Sequence, residues 1–454
     1  MGKPFDLTPF HGPGIETSNR RIATPIPHPD SLPLLDRLQA VEPASMQGQP
    51  PIIWDHAEDH HVFDAYGNMW LDFSSGVLVT NAGHGHPAIK AAISDQVERG
   101  LLHNYCFPSA ERLELCELLA SIAPEGLGKV FLLTTGSETT ECALKLMRTQ
   151  GLKLGGPRKS VIVSFLSSFH GRTLGAQQIG GLGTLKDWIV NHDPGIVHVP
   201  FPDGFRIEDT SFELFRRTLE RSGIAEDEVA GVICETYQGV GPDFLPIPYA
   251  QELRQWCDDH GAALTFDEVQ AGFGRCGTRW GFEVYGVTPD LICCGKGISS
   301  SLPLAAVLGR PALMDLYPPG SMTSTHTGNP VCCRAAIESI KAIEGGLIAN
   351  AAELGPVLAA GVEAIRAKHP VQIGHAPSRG LVAGLQVVLP GTKEPDHDTA
   401  HAIITSCIRK GLMLFAPVGV GGGCVKICPP LCIDREALEE GLAVLAEAAD
   451  EVMA

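Results

Sequence analysis

Three positions carry groups able to do chemistry, and each stands where an apolar run gives way to a loop. Thr134-Thr135-Gly136-Ser137 follows the run VFLLT and precedes a helix-like stretch. Glycine lets a backbone approach a ligand, and the first turn of a helix offers free N–H groups and the positive end of a dipole, which suits a phosphate. Strand–glycine–helix turns of this kind also occur without any ligand. Asp267, in TFDEVQ, ends a second apolar run. An isolated buried carboxylate is very costly, so this one is a helix cap, an ion-pair partner, or an acid that keeps a ring nitrogen protonated. Lys296, in LICCGKGISSSLPLAAV, closes a third run. Desolvation lowers the pKa of a lysine and makes its amine nucleophilic, whereas a lysine that snorkels to the surface at a strand end does no chemistry. Together, a phosphate cup, a buried acid and a desolvated amine are the parts needed to hold pyridoxal 5′-phosphate (PLP).

The elements that would position these groups form a regular alternation. Ser109 can cap a helix in which Leu115, Leu118, Leu119 and Ile122 share a face and which Pro124 stops. Strands follow at 130–134, 161–165, 229–235, 263–269 and 290–296, with a helix-like run from Ser137 to Arg148. A further helix places Leu253, Trp256, Cys257 and His260 on one side and ends at Gly261. Continuous apolar strands separated by helices predict an α/β fold with a mostly parallel sheet covered on both faces. In such sheets ligands sit at the C-terminal ends of the strands, where all three chemical positions fall. After about residue 335 the texture changes to long amphipathic helices flanking short strands such as 381–388, with Asp434 capping a last helix, which predicts a smaller α+β domain. Pro25, Pro27, Pro29 and Pro33 give residues 1–50 the character of an extended arm.

Composition narrows the function classes. The chain has 454 residues, with 34 Lys and Arg against 52 Asp and Glu, a net charge of −18. That charge repels a nucleic-acid backbone and anionic lipid, and no basic stripe reverses it. No uninterrupted apolar run approaches the roughly 20 residues that span a bilayer. The start, MGKPFDLTPF, lacks the apolar core of a signal peptide, and Asp6 stands where a myristoylation signal has Ser or Thr. The 14 cysteines lie largely inside apolar runs, as reduced thiols of a cytoplasmic protein would. His56, His60, His61, His84 and His86 lack the Cys or carboxylate spacing of a closed metal site, so no metal is expected.

Several blocks, in order, give the chain a resemblance. WLDFSSGVLVTNAGHGHP, FLLTTGSETTECALKLMR, SFHGRTLGAQ, TFDEVQAGFGRCG, the GKG around Lys296, THTGNP and VKICPPL resemble the class III (subgroup II, ω-amino acid type) PLP-dependent aminotransferases of fold type I, from about Pro51 to the C-terminus. The resemblance implies a large PLP-binding domain over 76–334 with a seven-stranded sheet. It implies a C-terminal small domain over 335–454, and residues 1–75 as an arm and part of the small domain. It makes Lys296 the Schiff-base lysine and proton carrier, and Asp267 the partner of the pyridine nitrogen. Val269 and Phe169 would lie on the two ring faces, with His170 in the same cofactor-binding stretch. Gln270 would lie near the ring's 3-oxygen, Gly136 and Ser137 would hold the phosphate, and Glu235 would lie beneath the cofactor. Thr325 would reach the phosphate of the partner subunit's cofactor, which implies a homodimer or a tetramer built from dimers. Arg172 matches the arginine that holds a distal carboxylate in 4-aminobutyrate-type members, and Val77 a substrate-touching position.

The chain also departs from the family. Val240 stands where a glutamate would pair with a second arginine, and that arginine's position holds Lys426. The two changes agree with each other, since a glutamate without its arginine would be an uncompensated acid. A lysine holds an anion as a point charge but cannot give the planar two-bond grip of arginine. The expected activity is ping-pong transfer of an amino group from an ω-amino acid or primary amine to a 2-oxo acid. Val240 and Lys426 keep two PLP alternatives open, amino acid racemisation or epimerisation and amine phospho-lyase chemistry. A non-catalytic PLP-binding regulator would need an added DNA-binding domain, for which residues 1–50 are too short and too Pro-rich.

Overall fold

A computed structural model describes residues 3–454; Met1 and Gly2, where the myristoylation motif would begin, lie outside them. The chain divides into two compact units, one formed by Met1–His86, Val240–Pro242 and Ala349–Ala454, the other by Pro87–Gly239 and Asp243–Ile348.

The larger unit is built on seven strands: β1 (Lys129–Leu133), β2 (Val161–Phe165), β3 (Ile196–Val199), β4 (Val229–Glu235), β5 (Ala263–Asp267), β6 (Leu291–Cys294) and β7 (Ala305–Gly309). Their order in the sheet is β1-β7-β6-β5-β4-β2-β3. All neighbours pair in parallel except β7, which runs antiparallel to both β6 and β1. β2, β4, β5, β6 and β7 are buried along their whole length, which explains their continuous apolar sequences. Helix α1 (Gly136–Gly155) lies on the sheet and buries Ala143, Leu146 and Met147 completely, at roughly 1.5–3 kcal/mol for each large side chain. Helix Ile247–His260 buries Leu253, Trp256 and Cys257 and ends at Gly261, whose φ of 59° is the left-handed cap that glycine adopts without strain. The unit's limits, Pro87 and Ile348, lie beyond the expected 76 and 334. The helix Pro330–Ala342 packs on helices Pro87–Glu98 and Ala110–Ile122 of this unit instead of opening the small domain.

The smaller unit has two sheets. One joins strands Ile15–Glu16, Arg21–Ile22, Met69–Asp72, His61–Phe63 and His56–Glu58 in that order, with Leu412–Met413 paired to Met69–Asp72. The other joins Ile373–His375, Val382–Val387 and Ser378–Arg379, with Cys424–Ile427 paired to Val382–Val387. Helices His397–Arg409 and Arg435–Met453 cover this unit, and Asp434 caps the latter by accepting the Ala437 N–H at 2.8 Å. The Pro-rich start is less extended than its composition predicts, because Leu32–Val41 is a helix. Pro33 stands in that helix's first turn, where a missing N–H costs nothing.

One helical run among the described residues, Pro330–Lys368, is long and apolar enough to cross a membrane by length and composition. Its residues Ala335, Ile337 and Ile340 are core of the larger unit and Leu358 and Val362 core of the smaller, and Gly346, with φ of 146°, breaks the run. None of the 14 cysteines is part of a disulfide.

Candidate active site

Buried charge collects at the sheet edge where β4, β5 and β6 end. Glu235 is the last residue of β4 and Asp267 the last of β5, and the parallel register sets them side by side. Lys296 follows β6 by two residues with a φ of 46°, a strained left-handed turn at a non-glycine position. Asp267 is only 5% exposed; its Oδ1 accepts the Val269 N–H at 3.0 Å and its Oδ2 lies 2.8 Å from His170 Nδ1. His170 is fully buried at its side chain, and its Nε2 has no hydrogen-bond partner. A proton on Nε2 would be an unsatisfied buried donor, so it belongs on Nδ1, where it donates to Asp267.

Two further acids crowd this edge. Glu235 accepts the N–H groups of Phe169 and Gly239, each at 2.9 Å, and so fixes two loops. Burial, with the charge of Asp267 adding to it, pushes its carboxyl up to about 7. Glu268 accepts the Gly281 N–H at 2.5 Å, the Phe282 N–H at 3.2 Å and the Thr236 hydroxyl, and burial raises it to about 7 as well. Three neighbouring carboxylic acids leave this edge in need of a positive partner.

Beside them is an anion cradle. At the start of α1 the Glu138 carboxylate accepts the N–H groups of Thr134 at 2.8 Å and Thr135 at 3.0 Å, while Thr135 Oγ1 accepts the Glu138 N–H at 3.3 Å. Burial raises the Glu138 carboxyl, but hydrogen bonds from Thr134, Thr135 and Ser324 outweigh it and hold the group below its ordinary value. The next two donors, the N–H groups of Gly136 and Ser137, have no acceptor among the described residues. Val269 lies over this turn: a Cβ at position 136 would stand 3.1 Å from its Cγ1, so a larger residue would have to push Val269 aside by a few tenths of an ångström. The Phe169–Arg172 loop meets the same turn through the Arg172 N–H, 3.3 Å from Ser137 Oγ.

Arg172 itself is exposed. Its guanidinium carbon lies 5.6 Å from the centroid of the Phe169 ring, and no ion pair engages it among the described residues. Gln270 belongs to the same edge, its carbonyl accepting the Tyr237 hydroxyl at 3.1 Å. Thr325 is exposed in a loop whose preceding residue, Ser324, donates to Glu138 Oε1 at 3.4 Å.

Val77 and Lys426 belong to the smaller unit. Val77 is 43% exposed and has φ 65° and ψ 57°, within a left-handed turn that also includes Gly76. Lys426 is buried in strand Cys424–Ile427 opposite Gly384. A Cβ at Gly384 would lie 2.7 Å from Pro242, so Lys426 leaves the sheet on the face covered by the Val240–Pro242 segment. The segment that holds Val240 therefore packs on the sheet that holds Lys426.

A family model described as aminotransferase class-III matches residues 44–449. The chain belongs to the class III aminotransferases. It is 33% identical to the 4-aminobutyrate aminotransferase GabT of Escherichia coli over 92% of this chain and 98% of that protein. It is 32% identical to the isoleucine 2-epimerase of Lentilactobacillus buchneri over 87% and 89% of the two chains. Its fold matches the crystal structure of an (S)-enantioselective omega-transaminase from Thermomicrobium roseum with a TM-score of 0.85 at 25% identity, covering 94% and 99% of the two.

This class III aminotransferase is an enzyme of fold type I whose cofactor is PLP, and its residues fit that group. Two helix N–H groups without an acceptor among the described residues suit a phosphate, and a cluster of buried acids suits a protonated ring nitrogen. Among the described residues no group of three or more His, Cys, Asp or Glu is placed to hold a metal ion. Two contributors escaped sequence reasoning. Glu138 had a signal in the Thr135-x-x-Glu138 spacing of a capping box. Glu268 had none, because an acid beside Asp267 reads as a solvated neighbour.

Proposed function

We propose that this aminotransferase takes the amino group from a donor that carries a carboxylate away from the reacting amine, an ω-amino acid of the 4-aminobutyrate kind, and passes it to a 2-oxo acid by a ping-pong route. The observation that carries this reading is Arg172. Its guanidinium is exposed, propped over the Phe169 ring and without a carboxylate partner among the described residues, beside the turn where the phosphate would sit. Such a planar fork suits a carboxylate. The likeness to 4-aminobutyrate and 5-aminovalerate aminotransferases supports the same donor class.

PLP when bound supplies an electron sink for the donor's amine-bearing carbon. Asp267 would pair with the ring nitrogen and keep it protonated, and His170 Nδ1 and the Val269 N–H hold its carboxylate in place. Gly136 and Ser137 would hold the phosphate through their N–H groups. Phe169 and Val269 would confine the ring and Gln270 would lie near its 3-oxygen, while Glu235 ties down the Phe169 loop. Lys296 would hold the cofactor through Nζ and, once the donor amine has displaced it, serve as the general acid and base.

The working unit is a homodimer in which Thr325 reaches the partner's phosphate. Supporting this, Leu102, Tyr105, Phe107 and Leu113 are 50%, 41%, 72% and 59% exposed. Arg112 fixes that patch by donating to the carbonyls of Tyr105, Cys106 and Phe107, and the Tyr105 hydroxyl reaches Thr323 at 3.3 Å, two residues from Thr325.

The experiment is a donor series on the Arg172→Ala variant. KM for 4-aminobutyrate and 5-aminovalerate is expected to rise roughly tenfold or more, with simple amines unaffected. Equal effects on carboxylate and non-carboxylate donors would remove the assignment. A second reading, epimerisation at an α-carbon, is favoured by Val240 and Lys426 and by the likeness to isoleucine 2-epimerase. It predicts loss of optical activity in an amino acid without any 2-oxo acid present.

A further inference from the structure

The loop that carries Arg172 is fixed by a row of side chains on helix α1. Ser137, Thr140 and Glu141 are spaced by three and four residues, so they share one face of that helix. Ser137 Oγ accepts the Arg172 N–H at 3.3 Å, and the Thr140 hydroxyl donates to the His170 carbonyl at 2.7 Å. Glu141 Oε1 accepts the N–H groups of Gly175 at 3.0 Å and Ala176 at 3.1 Å, and also the Thr173 hydroxyl. On the other side of the loop, Glu235 accepts the Phe169 N–H at 2.9 Å. The backbone is thus tied down both before and after Arg172, while the Arg172 side chain stays exposed.

The fit between loop and row is close. A Cβ at Gly171 would stand 2.8 Å from Ser137 Cβ and 2.9 Å from Ala176 Cβ, and one at Gly175 would stand 3.1 Å from the Glu141 carboxyl carbon.

Glu141 has a distinct task within this row. Helix Leu174–Ile179 begins two residues after Arg172, and Thr173 at its N-cap makes no side-chain cap of its own. The first N–H groups of a helix need an acceptor from elsewhere. Here the acceptor is a carboxylate from another helix, which makes the stronger, charge-assisted kind of hydrogen bond and suits the positive end of the helix dipole. Ser137 also belongs to the phosphate turn and Glu235 to the acid cluster. The hydrogen bonds of Glu141 among the described residues all go to Thr173, Gly175 and Ala176.

We propose that Glu141 is a positioning residue for donor selection, which holds Arg172 in one place beside the phosphate turn by capping helix Leu174–Ile179. The inference rests on the donor reading above and deepens it. The turn that suits the phosphate and the loop that carries the carboxylate grip are both set by one helix, α1. Without Glu141 the first turn of the short helix frays, Arg172 samples more positions, and a carboxylate-bearing donor loses a preorganised partner. A donor without a carboxylate makes no use of that partner.

The test compares Glu141→Leu, which removes the acceptors, and Glu141→Gln, which keeps one carbonyl oxygen, with Arg172→Ala. The donors are 4-aminobutyrate and propylamine, the same carbon chain without the carboxylate. The kcat/KM for 4-aminobutyrate relative to propylamine should fall roughly tenfold in Glu141→Leu, through KM more than kcat, and about threefold in Glu141→Gln. Glu141→Leu combined with Arg172→Ala should lower the ratio no further than Arg172→Ala alone. Independently of turnover, hydrogen exchange of the holoenzyme should quicken over residues 173–177 in Glu141→Leu and stay unchanged in strand β4, which also reports that the variant folds. With the ratio lowered in Arg172→Ala, three results would each overturn this proposal and leave the donor reading intact. They are an unchanged ratio in Glu141→Leu (or in Glu141→Gln, should the former not fold), unchanged exchange over 173–177, and additive losses in the double variant. An unchanged ratio in Arg172→Ala would overturn the donor reading itself, and this proposal with it.

Discussion

Glu235 and Glu268 end up in an apolar interior with carboxyls raised from 4.5 to about 7, by burial first and then by the charge of Asp267. An acid whose folded pKa lies above its unfolded value binds its proton more tightly in the native state. Its destabilising effect is absent below the unfolded pKa and grows as pH rises through the window from about 4.5 to 7. The cofactor-free protein is therefore expected to lose thermal stability as pH rises from 5 to 8 by differential scanning calorimetry. With PLP bound, a ring cation paired with Asp267 as proposed would offset part of that effect, so the holoenzyme should show a shallower fall. Equal slopes for the two forms would contradict the placement of a ring cation against this cluster. Asp267, Lys296 and the Gly136-Ser137 turn were legible in the sequence because each ends an apolar run and is out of place there unless it has work to do. Glu268 was not, because its meaning comes from the Gly281 and Phe282 amides, which sit far along the chain and reach it only after folding.

Helix α1 shows what patterning reveals of an element and what it misses. The sequence predicts a helix-like run from Ser137 to Arg148. The helix instead runs to Gly155, because Gly151 is where it comes closest to the sheet. A Cβ there would lie 2.3 Å from the Lys159 carbonyl oxygen and 2.4 Å from the Ala230 side chain. Gly151→Ala gains about 1 kcal/mol of helix propensity. The overpacking costs about 1–3 kcal/mol, so a net loss of stability is expected in urea unfolding. A stabilised variant would mean that helix and sheet are not in close contact at this point. Five of the seven strands of the larger unit were placed to within two residues, since strands buried on both faces read as unbroken apolar runs; Ile196–Val199 and Ala305–Gly309 were not placed. The left-handed turn at Gly76 and Val77 was invisible. It is held by Ser74, whose Oγ accepts the Gly76 N–H at 3.1 Å, and by Asp72, which accepts the Ser74 N–H at 2.7 Å. No periodicity encodes a constraint of that kind.

On the scale of the whole molecule, alternating strands and helices followed by a change of texture predict a large and a small domain, and the contacts of the chain divide it into two compact units. Their limits were not legible, since Val240–Pro242 joins the smaller unit from the middle of the larger one's sequence. Such an exchange depends on packing between segments distant in sequence. The apolar patch around Phe107 leads to a further expectation. If the proposed homodimer is the working unit, Phe107→Glu should shift it toward monomer in light scattering after size exclusion, with PLP bound more weakly because Thr325 would no longer reach a partner. A dimer unaffected by this change would move the interface elsewhere. The central claim is transfer of an amino group in two separable halves, and it is tested most directly by following the visible absorption of the purified holoenzyme as amines are added singly without a 2-oxo acid. Stoichiometric loss of the yellow absorption with 4-aminobutyrate or 5-aminovalerate, restored by adding a 2-oxo acid, is the predicted result. Persistence of the yellow form while an amino acid exchanges its α-hydrogen with solvent would contradict it and assign the enzyme to epimerisation.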